Sequence, residues 1–190
     1  MAERLWNREA ADAIVSECSG KPGKASEESK PTTQLSPLLF DLTSLQREAN
    51  GRFGFSARTT LSLAQALYER HKVLTYPRTD ARALPEDYVS TVQETLQEFK
   101  GSEFAPMAGK ILKSGWVRPN KRIFDNTKIS DHFAIIPTLQ MPKQLNEAEA
   151  KIYDLVVRRF LAVFYPAAEY LQTTRITKVA THNVKTEGKV

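Results

Sequence analysis

Lys72-Val73-Leu74-Thr75-Tyr76-Pro77-Arg78-Thr79-Asp80 is the stretch from which the rest of the chain is best read. A short β-branched and apolar run ends in a phenol. Pro77 then stops a strand, because it has no N–H to give to a ladder. Arg78 and Asp80 follow within four residues of Tyr76. The pattern predicts a strand that ends on a hydroxyl, with a fixed cation and a carboxylate beside it. A free phenol has a pKa of about 10 and is a poor nucleophile at neutral pH. A guanidinium close to it favours the phenolate and can also grip a phosphate in a two-pronged fork. The same residues also describe a buried strand tyrosine followed by a solvated turn, and a motif this short does not choose between them.

Upstream of that run, Ser56 is placed to cap a helix whose Leu61, Ala64, Leu67 and Tyr68 share one side. Thr43 and Gln46 fit a capping box for a shorter helix before it, stopped at Asn50-Gly51. Residues 19–37 are Ser, Gly, Lys, Pro, Glu and Thr with almost nothing apolar, and read as a linker or exposed loop. Leu5, Trp6, Ala10, Ala13 and Ile14 predict an amphipathic helix over residues 3–16, with no signal-peptide core.

Downstream, Pro85-Glu86-Asp87 opens a helix with buried Val89, Val92, Leu96 and Phe99, ended by Gly101. Residues 102–128 are basic and read as an irregular loop, either functional or simply a solvated surface. Ile129–Thr138 is an apolar segment around His132. Asn146 and Glu149 make a capping box for a long helix through about Phe164, closed by Pro166. Thr173–Val179 alternates like a half-buried strand, with residues 184–190 as its partner. The fold class is therefore mixed α+β.

The chain has 190 residues, 27 Lys+Arg against 22 Asp+Glu, and a formal net charge of +5. That excess permits an anionic partner without establishing one. Cys18 is the only cysteine, which excludes an internal disulfide and a cysteine-based zinc site. No apolar run approaches the length of a membrane span, so the expected location is the cytoplasm. No glycine-rich phosphate loop, Asp-x-Asp pair or nucleophile elbow is present. Tyr76, Arg78 and His132 would supply a nucleophile, a phosphate-binding cation and a proton carrier for phosphodiester transesterification, provided the fold brings them together. His132 as a core residue and Asp80 as a turn residue bonding its own backbone are the plain alternatives.

Five segments, in order, resemble the type IA DNA topoisomerases, nearest the bacterial topoisomerase III branch. They are Pro37–Ala49, Phe53–Glu69, Thr75–Asp80, His132–Thr138 and Tyr153–Phe160. The resemblance implies that Tyr76 attacks one DNA strand and stays joined to its 5′ phosphate while the other strand passes. Arg78 would hold the scissile phosphate, His132 would contact it or move protons, and Asp80 would orient the cluster. Thr43, Ser44 and Gln46 match a stretch that contacts the nucleic-acid backbone in the family. Ala81 and Phe133 depart from the residues usual there, serine and a second histidine.

The resemblance also implies an architecture. Residues 1–45 and 143–190 would form a discontinuous β-rich arch segment, and residues 46–142 a mainly helical, catabolite-activator-like catalytic domain inserted in it. The family's Toprim domain, which binds Mg2+, has no counterpart in these residues. The chain would then be an internal piece that binds no metal itself, nucleoid-associated, with single-stranded DNA and the enzyme's Toprim and groove-lining domains as partners. It would be inactive alone. The alternative is a non-catalytic single-stranded nucleic-acid-binding module of the same fold. A tyrosine recombinase fits less well, because Tyr76 comes too early in the chain.

Overall fold

The computed structural model describes residues 5–190. The fold is mixed helix and sheet, in two compact units. The first takes in the described residues up to Gln34 together with Ala167–Val190; the second is Leu35–Pro166.

In the first unit a helix, α1 (Arg8–Cys18), precedes three strands, β1 (Gly23–Gln34), β2 (Ala168–Val179) and β3 (His182–Lys189). The sheet is antiparallel with β2 in the middle. Helix α1 starts later than its apolar spacing predicts. The Asn7 side chain accepts from the Glu9 and Ala10 amides and fixes the first turn there, so Leu5 and Trp6 precede the helix. Residues 3 and 4 of the predicted helix lie outside the described residues. The polar stretch expected to be a loop is mostly β1. It pairs along its whole length with β2, from Gly23 opposite Val179 to Gln34 opposite Ala168. Its side chains are almost all exposed, so no apolar alternation marks it. The ladder to a distant strand makes it a strand. Pro31 is tolerated because β1 is an edge.

The second unit is helical. Its elements are α2 (Leu42–Phe53), α3 (Ala57–Glu69), α4 (Val89–Glu98), α5 (Ala105–Lys113) and α6 (Glu147–Ala162), with short 3-10 turns at Glu86–Tyr88 and Asn126–Lys128. The α6 face formed by Ile152, Leu155, Val156, Phe160 and Leu161 is buried in a core with Phe40, Leu45, Leu67 and Ile135. Because α6 packs there against α3, the units part at 34/35 and 166/167, whereas the motif-based division runs at 45/46 and 142/143.

Three local expectations change. Helix α2 is boxed by Asp41 and Ser44 rather than by Thr43 and Gln46, since the Asp41 carboxylate accepts from the Ser44 amide at 2.6 Å. It runs past Gly51 and ends at Gly54, whose φ of 69° is the left-handed geometry a helix stop requires. The supposed loop at 102–128 contains α5, with Phe104, Ala108 and Ile111 buried one helical turn apart and Pro106 in the first turn. Its surface lysines had masked that apolar face.

Candidate catalytic tyrosine site

The segment before Tyr76 is extended, but it makes a single antiparallel bridge, Leu74 to Pro137, rather than a strand. Two backbone bonds flank that bridge, Thr75 N to Ile136 O at 3.0 Å and Thr138 N to Val73 O at 3.1 Å. Two threonines reinforce them. Thr75 Oγ1 donates to the Ala134 carbonyl at 3.0 Å and accepts from the Ile136 amide at 2.9 Å. Thr79 Oγ1 donates to the His132 carbonyl at 2.8 Å and accepts from the Ala81 amide at 3.0 Å. Residues 75–81 and 132–138, more than fifty positions apart in sequence, are thus laced together. Phe40 bridges to Ile135, and the Leu42 amide donates to the Thr79 carbonyl at 3.0 Å, which seats the start of α2 beside the same segment.

The lacing brings two of the candidate residues into contact. The Tyr76 and His132 rings lie 4.3 Å apart between centroids, tilted by 45°. Tyr76 is half-buried and His132 is exposed, so His132 is not a core residue. On its other flank Tyr76 meets Tyr68 of α3 edge to face, at 5.4 Å and 78°. One turn earlier on α3, Gln65 Oε1 accepts from the Arg78 guanidinium at 3.4 Å, while Gln65 Nε2 donates to Glu69 at 2.8 Å. Helix α3 therefore positions both the phenol and the guanidinium. Pro77 and Thr79 are buried and Arg78 is exposed, so the cation faces outward from an anchored turn.

The Asp80 side chain accepts from Ser130 Oγ at 3.5 Å. It ties the turn after Tyr76 to the loop before His132. Of the three candidate backbone contacts, Thr43 is exposed. Ser44 is engaged with Asp41, and Gln46 Nε2 donates to the Ala57 carbonyl at 3.0 Å. Capping and packing thus occupy Ser44 and Gln46. Phe133 stacks on Tyr88 at 4.9 Å, and Ala81 is buried; both departures from the family pattern serve packing.

Tyr68 and Gln65 were not singled out from the sequence as site residues. Their signal is the three-residue spacing that puts both on one helix face just before the Tyr76 segment. Between α3 and that segment, Lys72 adopts a φ of 59°, unusual for a side chain of its size. Its carbonyl accepts from Thr138 Oγ1 at 2.7 Å, which holds the turn. Among the described residues no three His, Cys, Asp or Glu side chains are grouped to hold a metal ion. No helix among them is long and apolar enough to cross a membrane.

A sequence profile of the DNA topoisomerase family matches residues 1–190, the whole chain. The chain belongs to the type IA DNA topoisomerases. Among type IA relatives, DNA topoisomerase 3 of Bacillus cereus is 46% identical over 98% of this chain. That of Bacillus subtilis is 40% identical over the same share. The chain spans 26% of the length of each. The fold is similar to part of full-length topoisomerase I from Thermotoga maritima, with a TM-score of 0.61 and 22% identity, covering 98% of this chain and 30% of that one.

Proposed function

We propose that this segment supplies the nucleophile of a type IA topoisomerase, and that Tyr76 is that nucleophile. The Tyr76 Oη would attack a phosphorus of one DNA strand and lose its proton, and the bond from phosphorus to the 3′ oxygen would break. The 5′ phosphate would then be esterified to Tyr76, and the departing 3′ oxygen would take a proton. Religation reverses each step, so the bond energy is conserved and no external energy source is consumed. Arg78 would hold the non-bridging oxygens of the phosphate. His132, in contact with the Tyr76 ring, would carry the proton or bond the phosphate. Asp80 would fix the turn through Ser130.

The arch and catabolite-activator-like assignment of the two units belongs to the same proposal, as do single-stranded DNA as partner and a place at the cytoplasmic nucleoid. Magnesium would be held by the Toprim domain of the full-length enzyme. The observation that carries this reading is the Tyr76–His132 contact beside Arg78, made by residues distant in sequence. A module that had lost its chemistry would have no need to hold the Tyr76 and His132 rings together.

The test is a chimera in which this chain replaces the matching segment of Bacillus cereus DNA topoisomerase 3. The unsubstituted chimera should form a covalent adduct with single-stranded DNA. Tyr76→Phe should abolish the adduct while binding stays nearly intact. An adduct that survives Tyr76→Phe would overturn the assignment. Alone, the 190-residue chain is expected to bind single strands weakly and to relax nothing; relaxation by the chain alone would contradict the division of labour.

A further inference from the structure

The outer face of α3 carries a cation that the cleavage chemistry leaves unused. Arg58, Ser62, Gln65 and Glu69 recur at spacings of four and three on that face, and with Arg70 and Arg78 they line an open groove of about 510 Å3. Most of these groups have internal partners. Arg70 pairs with the buried Glu149, and Arg78 and Glu69 are joined through Gln65. Arg58 is different. It is exposed, and its guanidinium has no hydrogen-bond or ion-pair partner among the described residues.

Its position is also costly to the fold. Arg58 lies in the first turn of α3, where the helix dipole favours negative charge and disfavours a cation, and that turn contains no acidic residue. The Arg58 guanidinium, lining the open groove, makes a place there for an anion from outside. Arg58 and Gln65, which receives Arg78, are seven residues apart on the helix, or about 10 Å along its axis. Cations anchored at positions that far apart reach successive phosphates more readily than a single one. They suit a ligand with repeated negative charges that runs along α3.

We propose that Arg58, with the Ser62 hydroxyl, holds a second phosphate of the same single strand whose scissile phosphate lies at Arg78. Helix α3 then carries the strand away from Tyr76, within the same compact unit as the tyrosyl ester. This inference rests on the role proposed above for Arg78. A second grip on that unit would keep the attached strand end aligned while the other end moves.

The experiment measures binding of a fluorescein-labelled oligothymidylate to the 190-residue chain across a salt series. Arg58→Ala should weaken binding at low salt by about fivefold, as expected for one exposed ion contact. It should also reduce the slope of log affinity against log salt by about 0.7, the contribution of one phosphate on a single strand. Arg58→Lys should restore the slope. Folding is not at stake, because Arg58 is exposed and has no hydrogen-bond or ion-pair partner among the described residues. Arg78→Ala is the control for the underlying site. If Arg78→Ala weakens binding and Arg58→Ala leaves the slope unchanged, the second grip is wrong and the tyrosine site stands. If Arg78→Ala has no effect, the assignment of the scissile phosphate falls, and this inference falls with it.

Discussion

Thr79→Val tests how the site is held together. The Thr79 hydroxyl makes two bonds, to the His132 carbonyl at 2.8 Å and from the Ala81 amide at 3.0 Å, and the residue is only 8% exposed. Valine keeps the volume and removes both bonds. His132 is exposed, so water can reach its freed carbonyl at modest cost. Ala81 is buried, and its amide is left without an acceptor; a stranded buried donor costs about 1–3 kcal/mol. Together the two effects should destabilise the helical unit by about 2 kcal/mol, a shift of about 6 °C in melting temperature for a unit of this size. Urea denaturation followed by far-ultraviolet circular dichroism measures the loss. The same substitution should also release the His132 ring from Tyr76, read as a change in the His132 Cε1 proton shift as the ring current is lost. Thr75→Val makes the comparison, because it cuts the neighbouring tether to Ala134 and Ile136 and leaves the His132 carbonyl bonded. It should lower stability comparably and disturb His132 less. A Thr79→Val protein within about 0.5 kcal/mol of the parent, the range of an indifferent surface change, would refute the tether. So would an unmoved His132 resonance.

Other outcomes follow from the core and its charges. Arg159 is nearly buried, stacks on Phe40 at 4.0 Å, donates to the Leu38 carbonyl at 3.0 Å and pairs with Glu48. Arg159→Met should cost about 3 kcal/mol, the low end for a broken buried pair, because Glu48 keeps Arg52; a urea midpoint unchanged from the parent would contradict this. The Tyr153 hydroxyl is buried without a partner among the described residues, and burial pushes its pKa up. Tyr153→Phe should therefore be stabilising by about 1 kcal/mol in the same titration, and a clear loss would point to a bond the hydroxyl does make. Asp125 is held down to about 2 by the Thr127 hydroxyl first and then by Lys128. A depressed carboxylate contributes stability that is fully present above its unfolded pKa near 4. That contribution is lost as pH falls from about 4 through about 2. Asp125→Asn should flatten this part of the stability–pH curve, and an unaltered acid limb would exclude Asp125 as its source.

Helices were legible in the sequence where a cap and an apolar stripe agreed. The Asn146–Glu149 box and the stripe from Ile152 describe α6, which stops at Ala162 rather than at about Phe164, and Ser56 caps α3 as its position suggests. Strand β1 was not legible. Its stability comes from a ladder to residues more than a hundred positions away, and its own side chains carry no period. Helix α5 was hidden for the opposite reason: its exposed lysines drew attention from Phe104, Ala108 and Ile111, whose spacing is helical. At the α2 start, Thr43 and Gln46 had the spacing of a box, but Asp41, two residues earlier, caps the helix and leaves Thr43 inside its first turn. In the candidate site the local motif marked Tyr76 and Arg78. What spacing could not show is that Thr75 and Thr79 fasten the His132 segment to it, or that Gln65 and Tyr68 of α3 brace the cation and the phenol. Those contacts depend on tertiary packing.

The role of Tyr76 is tested most directly by finding where the DNA becomes attached. The Bacillus cereus topoisomerase 3 chimera would be trapped on a suicide oligonucleotide, digested with trypsin and mapped by mass spectrometry. Cleavage after Lys72 and Arg78 isolates Val73-Leu74-Thr75-Tyr76-Pro77-Arg78, which contains a single phenol. The nucleotide mass is expected on that peptide, at Tyr76. A linkage at any other side chain would contradict it.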